Sequence, residues 1–134
     1  MNFASDNSGP VHPRVMEALG QANTGYATAY GEEAAMERLR ADIRALFEAP
    51  DAAVYLVATG TAANALILAT LGNPWQTIFC TPLAHIQMDE CNAPEFYTGG
   101  AKLTLVADDG AGVMQADALE RKIIAEETRG VHGP

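Results

Sequence analysis

Positive charge is scarce in this chain. Eight lysines and arginines stand against 17 aspartates and glutamates, a formal net charge of −9 over 134 residues. A surface this acidic repels phosphate backbones, so no nucleic-acid partner is expected. A small anion needs only a local set of donors and stays open. Cysteine is nearly absent too. Cys80 and Cys91 are too few for a disulfide framework, and Cys80, inside an apolar run, reads as a small buried hydrophobe. The segment Met1 to Asp6 has no basic stretch followed by an apolar one, and no run approaches the length of a membrane span. These absences lead us to expect a cytoplasmic protein with no membrane partner.

What is present suits one packed domain. Hydrophobic residues make up 49% of the chain, which is enough for a core and argues against disorder. The opening stretch to His12 is polar and turn-rich. Pro13 then suits the first turn of a short helix whose apolar face is Val15, Leu19 and Ala22. Residues 23–31 read as loop. From 32 to 47 the helical spacing of Met36, Leu39, Ile43, Leu46 and Phe47 is clear, and Glu32 and Glu33 favour the positive end of the dipole. Residues 53–58 form an apolar run with β-branched and aromatic members, as in a buried strand. Thr59, Gly60 and Thr61 read as a turn into an apolar helix over 62–71, stopped at Gly72. Strands are expected at 76–81 and 102–106, with a long irregular segment over 82–100 between them, and a last amphipathic helix at 116–127. That alternation predicts an α/β domain with a mainly parallel sheet.

Three places could carry chemistry. At Thr59-Gly60-Thr61 a glycine lets the backbone approach a ligand, and the helix that follows offers unpaired amides with a positive dipole end. A phosphate site fits there, and so does a plain strand-to-helix turn with a threonine cap. His85 stands just past a strand's C-terminal end, the edge where open α/β sheets bind ligands. It could stack on a planar group or move protons, or be a histidine satisfied by a carbonyl. Asp89 and Glu90 are adjacent, so at most one of them faces any one site. His85, Asp89 and Cys91 lack a second cluster that would complete a metal set, and no metal is assigned. Gly60 stands alone, without the fuller glycine pattern of a dinucleotide fold.

Taken together, these pieces resemble the threonine aldolase family. Ser5-Asp6-Asn7, Tyr30-Gly31-Glu32, Thr59 to Asn64, Ala84-His85-Ile86 with Asp89-Glu90, Ala93 to Phe96, and Gly99 to Leu103 occur in that family's order and spacing across essentially the whole chain. The resemblance implies the N-terminal part of the large domain of a fold-type-I pyridoxal-phosphate enzyme, incomplete, with 1–31 as arm and pocket loop and 32–134 as a helix and βαβ segment. It implies pyridoxal phosphate as cofactor, bound by Gly60 and Thr61 with His85 stacked on its ring. His85 and Glu90 become the catalytic pair, while Ser5 and Tyr30 become substrate contacts. The implied reaction cleaves threonine, or a related β-hydroxy-α-amino acid, to glycine and an aldehyde. The implied assembly at full length is a homo-oligomer, dimer or tetramer.

Neither Lys102 nor Lys122 lies in the family's lysine motif. The Schiff-base lysine, its partner aspartate and the carboxylate-binding arginines are therefore expected outside these residues, and the chain alone is not expected to be active. The resemblance further implies that 76–81 pairs in parallel with 102–106 and that 53–58 does not pair with 76–81. Two alternatives stand beside this reading. One is another β-eliminating amino-acid lyase of the same fold, and the other is a non-catalytic phosphate-binding α/β module.

Overall fold

A computed structural model describes residues 8–130. Their element order is α1 (Pro13–Ala22), α2 (Ala34–Leu46), α3 (Gly60–Leu71), β1 (Thr77–Cys80), α4 (His85–Met88), α5 (Ala93–Tyr97), β2 (Lys102–Leu105) and α6 (Ala116–Arg129). The residues fall into two units divided between Val54 and Tyr55. Among the described residues, no helix is long and apolar enough to cross a membrane.

In the first unit, His12 begins α1 by accepting from the Arg14 N–H at 3.3 Å, with Pro13 in the first turn. Helix α2 starts after Glu33, and Arg40 ties it to the preceding loop by donating to the Gly31 carbonyl at 3.1 Å. Neither helix has a fully buried residue.

The second unit is built on β1 and β2, which pair in parallel with Thr77 opposite Lys102 and Cys80 opposite Leu105. This is the pairing that the resemblance implies. The Thr77 and Thr104 hydroxyls meet within the pair, and Thr77 also donates to the Lys102 carbonyl at 3.1 Å. Chain direction into β2 is set at Gly99 and Gly100, both at positive φ (75° and 124°). A Cβ on Gly99 would also lie 3.3 Å from the Pro74 side chain, so a larger residue is opposed twice there. Helix α3 packs on α5. Among the described residues, the buried apolar ones include Ala65, Cys80, Pro94, Ala101, Val106 and Ala118.

Three expectations need correction. Residues 53–58 form no strand, because a strand exists only where its N–H and C=O groups find a partner ladder, and among the described residues the sheet has two strands. Tyr55 and Leu56 are accordingly exposed. The irregular segment 82–100 contains the helical turns α4 and α5, each too short to show a helical period in sequence. Helix α3 begins at Gly60 rather than 62, so Gly60 and Thr61 are its first turn.

The two cysteines differ sharply. Cys80 is buried and Cys91 exposed. Burial first, and then the nearby Glu95 carboxylate, push the Cys80 thiol up, so it remains protonated and unreactive. A thiol reagent at neutral pH should therefore label Cys91 in the folded chain and reach Cys80 only on unfolding. Peptide mapping that finds both labelled at equal rates would contradict this environment for Cys80.

Candidate active site

Helix α3 carries the first part of the site. The Thr59 hydroxyl caps it by accepting the Ala62 N–H at 3.1 Å, and the first main-chain bond runs from the Ala63 N–H to the Thr59 carbonyl at 3.2 Å. The amides of Gly60 and Thr61 come before that bond, so they are open to an outside acceptor at the positive end of the helix. The threonine cap expected as the plain reading is real, and it leaves those two amides unused. Gly60 has no positive φ that would demand glycine. A Cβ built on it meets nothing within 4 Å. Neither strain nor packing among the described residues explains a glycine here, whereas close approach of a ligand to the backbone does.

Beside this helix start lies a cleft of about 230 Å³, lined by Thr59, Thr61, Ala62, Ala65, Leu66, Ala93 and Tyr97. Neither His85 nor Glu90 lines it. The two belong to a separate cluster of the same unit, on the segment that leaves β1. Thr81 turns the chain, accepting the Ala84 N–H at 3.1 Å, and α4 then opens with His85.

Glu90 is the most unusual residue of this cluster. Its side chain is 0% exposed, while that of His85 is 64% exposed. Oε1 of Glu90 lies 2.7 Å from His85 Nδ1 and accepts from Asn64 Nδ2, also at 2.7 Å. Oε2 is buried with no hydrogen-bond partner among the described residues. A buried carboxylate is tolerated only when paired and hydrogen-bonded, and here both available partners converge on one oxygen. The backbone that places it is equally specific. The Ala93 N–H donates to the Glu90 carbonyl at 2.8 Å, around Cys91 and Asn92, which both hold positive φ (49° and 60°). Two successive residues in that region are what a type I′ turn requires. Asp89, by contrast, is exposed, so of the adjacent acidic pair only Glu90 faces the cluster.

The candidate residues are thus partly assembled. His85 and Glu90 are in direct contact, and Gly60 and Thr61 begin the helix that reaches Glu90 through Asn64. Tyr30 belongs to the first unit, where it is exposed at φ 65°. Ser5 lies outside the described residues. Asn64 is the one functional candidate not singled out above. Its signal was a polar amide flanked by alanines and followed by leucine and isoleucine within a helix, which implies a hydrogen-bond partner.

Comparison with known proteins bears on the whole chain. A profile of the family described as beta-eliminating lyase matches residues 2–134. The chain belongs to that family. Low specificity L-threonine aldolases of Pseudomonas sp. (strain NCIMB 10558) and of Pseudomonas aeruginosa are each 36% identical to it over 132 residues, covering 98% of this chain and 37% of theirs. A solved structure of Leishmania major threonine aldolase matches with a TM-score of 0.87 at 25% identity, over 98% of this chain and 38% of that one. The chain therefore spans little more than a third of the length of these relatives. The α/β fold with a small parallel sheet, matching part of a threonine aldolase, agrees with the architecture expected from sequence.

Proposed function

We propose that this chain forms the phosphate- and ring-binding part of a pyridoxal-phosphate-dependent lyase. The reading takes threonine or a related β-hydroxy-α-amino acid as substrate, with glycine and an aldehyde as products. The observation that carries it is the convergence of His85 and Asn64 on the buried Glu90, with Asn64 on the same helix that presents the open Gly60 and Thr61 amides. Similarity to low specificity L-threonine aldolases supports the substrate class.

On this reading the Gly60 and Thr61 amides and the Thr61 hydroxyl hold the cofactor phosphate, and the exposed face of His85 lies on its ring. When bound, the cofactor supplies an electron sink for the pair left on Cα when the Cα–Cβ bond breaks. The protein's part is proton handling. With Nδ1 of His85 donating to Glu90, Nε2 is free to take the β-hydroxyl proton as the carbonyl forms at Cβ. Glu90 stabilises the positive ring that results, and Nε2 can later release that proton. Tyr30 and Ser5 are assigned to the substrate. Lys102 and Lys122 are not assigned the cofactor linkage, which on this reading falls to residues outside the chain. A homo-oligomer in the cytoplasm is the setting the resemblance implies.

A chimera tests this reading. Residues 1–134 would replace the matching N-terminal third of the Pseudomonas aeruginosa low specificity L-threonine aldolase. Glycine release from threonine, dependent on added pyridoxal phosphate, is the expected outcome. A chimera that folds and binds the cofactor yet cleaves no β-hydroxy-α-amino acid, while eliminating a β-substituent from another amino acid, would move the assignment to a different lyase reaction.

A further inference from the structure

Glu90 Oε1 has two lone-pair positions; the Asn64 amide donates to one of them, and His85 Nδ1 lies 2.7 Å from the same oxygen. One donor, the Asn64 amide, can only give a hydrogen on its nitrogen. An oxygen already accepting from an amide is a poor seat for the carboxyl proton, so Glu90 Oε1 acts as acceptor toward His85 as well. Which imidazole nitrogen keeps its proton is set by the bond the other makes. Asn64 stands four residues beyond Gly60, one turn along the same face of α3. Beyond Asn64 and His85 the buried carboxylate has no side-chain anchor among the described residues, since Oε2 has no partner.

We propose that Asn64 is a positioning residue. Its amide holds Glu90 Oε1 where His85 Nδ1 must donate to it, and this fixes the imidazole as the Nδ1–H tautomer with its Nε2 lone pair free. Asn64 acts through Glu90 and does not line the cleft beside the helix start. Because it sits on α3, it also ties the helix start at Gly60 to the ring of His85, so that the two parts of the site keep a fixed relation. The inference rests on the proposed function only for the use to which Nε2 is put, because the tautomer itself is a property of this chain.

The test is nitrogen NMR of the histidine-labelled 134-residue chain at about pH 9, above the usual imidazole range. The His85 signals are assigned by their disappearance in His85→Gln. The wild-type chain should show Nδ1 as the protonated nitrogen and Nε2 as the bare one. Asn64→Leu, which keeps the approximate volume and removes the donor, should lose that preference, and Glu90→Met, which removes the acceptor oxygen, should lose it too. Asn64→Asp provides the same test without a change of size, since an ionised carboxylate beside Glu90 repels Oε1; it stands in if the leucine variant does not fold. A bare Nδ1 in the wild type overturns the proposal, as does an unchanged Nδ1–H signature in a folded Asn64 variant. Titration of the same samples with pyridoxal phosphate keeps the two readings apart. A tautomer set by Asn64 in a chain that binds no cofactor upholds this inference and counts against the proposed function alone.

Discussion

Replacing His85 with alanine in the chimeric enzyme is expected to lower turnover by about 10²–10⁴-fold, the usual worth of a positioned general base. The pair of variants His85→Ala and His85→Phe carries more information than either one. Both remove the partner of Glu90 Oε1 at 2.7 Å, so both leave the buried carboxylate with Asn64 alone and suffer that loss equally. They differ in whether a planar ring remains in the place of the imidazole. If His85 lies on the cofactor ring, the phenylalanine variant keeps more cofactor affinity than the alanine variant, although neither turns over well. Affinity is read from spectroscopic titration and turnover from glycine release. An alanine variant with unchanged rate and affinity would make His85 a structural histidine and nothing more.

The second large effect is expected at Gly60. Gly60→Val places a branched side chain in space that no atom within 4 Å occupies, at a position that needs no positive φ. The fold should therefore tolerate the change. A phosphate approaching the Gly60 and Thr61 amides would not. Two charge-assisted hydrogen bonds are worth roughly 1.5–3 kcal/mol each, so cofactor affinity should fall on the order of 10²-fold or more. Thermal unfolding of the cofactor-free protein should change little. Equal cofactor affinity in the valine variant would remove the helix start from the site and leave Thr59 as a cap only.

The parts of this fold that were legible in sequence are those governed by local periodicity or by a cap. Met36, Leu39, Ile43 and Leu46 mark α2 because a helix repeats its apolar face within four residues. Thr59 and Gly72 bracket α3 for similarly local reasons. Burial of Cys80 followed from its apolar neighbours, and adjacency limited Asp89 and Glu90 to one site residue, the choice of Glu90 coming from the resemblance. The parallel pairing of β1 with β2 was not local information. It came from resemblance to a family, because a strand's hydrophobic pattern says which face is buried and not which strand lies beside it. The same gap explains 53–58, a strand-like run with no ladder among the described residues. Asn64 and Glu90 stand 26 residues apart, and no spacing rule joins an amide to a carboxylate over that distance. His85 and Glu90 were named by resemblance, but the hydrogen bond between them depends on the turns of α4 and of Cys91-Asn92.

That last turn has a bearing on how the protein tolerates change. Left-handed backbone costs an ordinary residue about 1–2 kcal/mol, and Cys91 holds φ 49° without the local side-chain bonding that eases asparagine into the same region. Glycine at 91 would relieve that strain in the folded chain while adding freedom to the unfolded one, and the two contributions oppose each other. Melting temperature is thus a poor guide to what this position is for. What glycine would surrender is stiffness in the hinge one residue from Glu90, the group around which the imidazole and the helix amide are arranged. Marginal stability and site rigidity are separate quantities at Cys91, and mutational drift judged by the first would erode the second unseen.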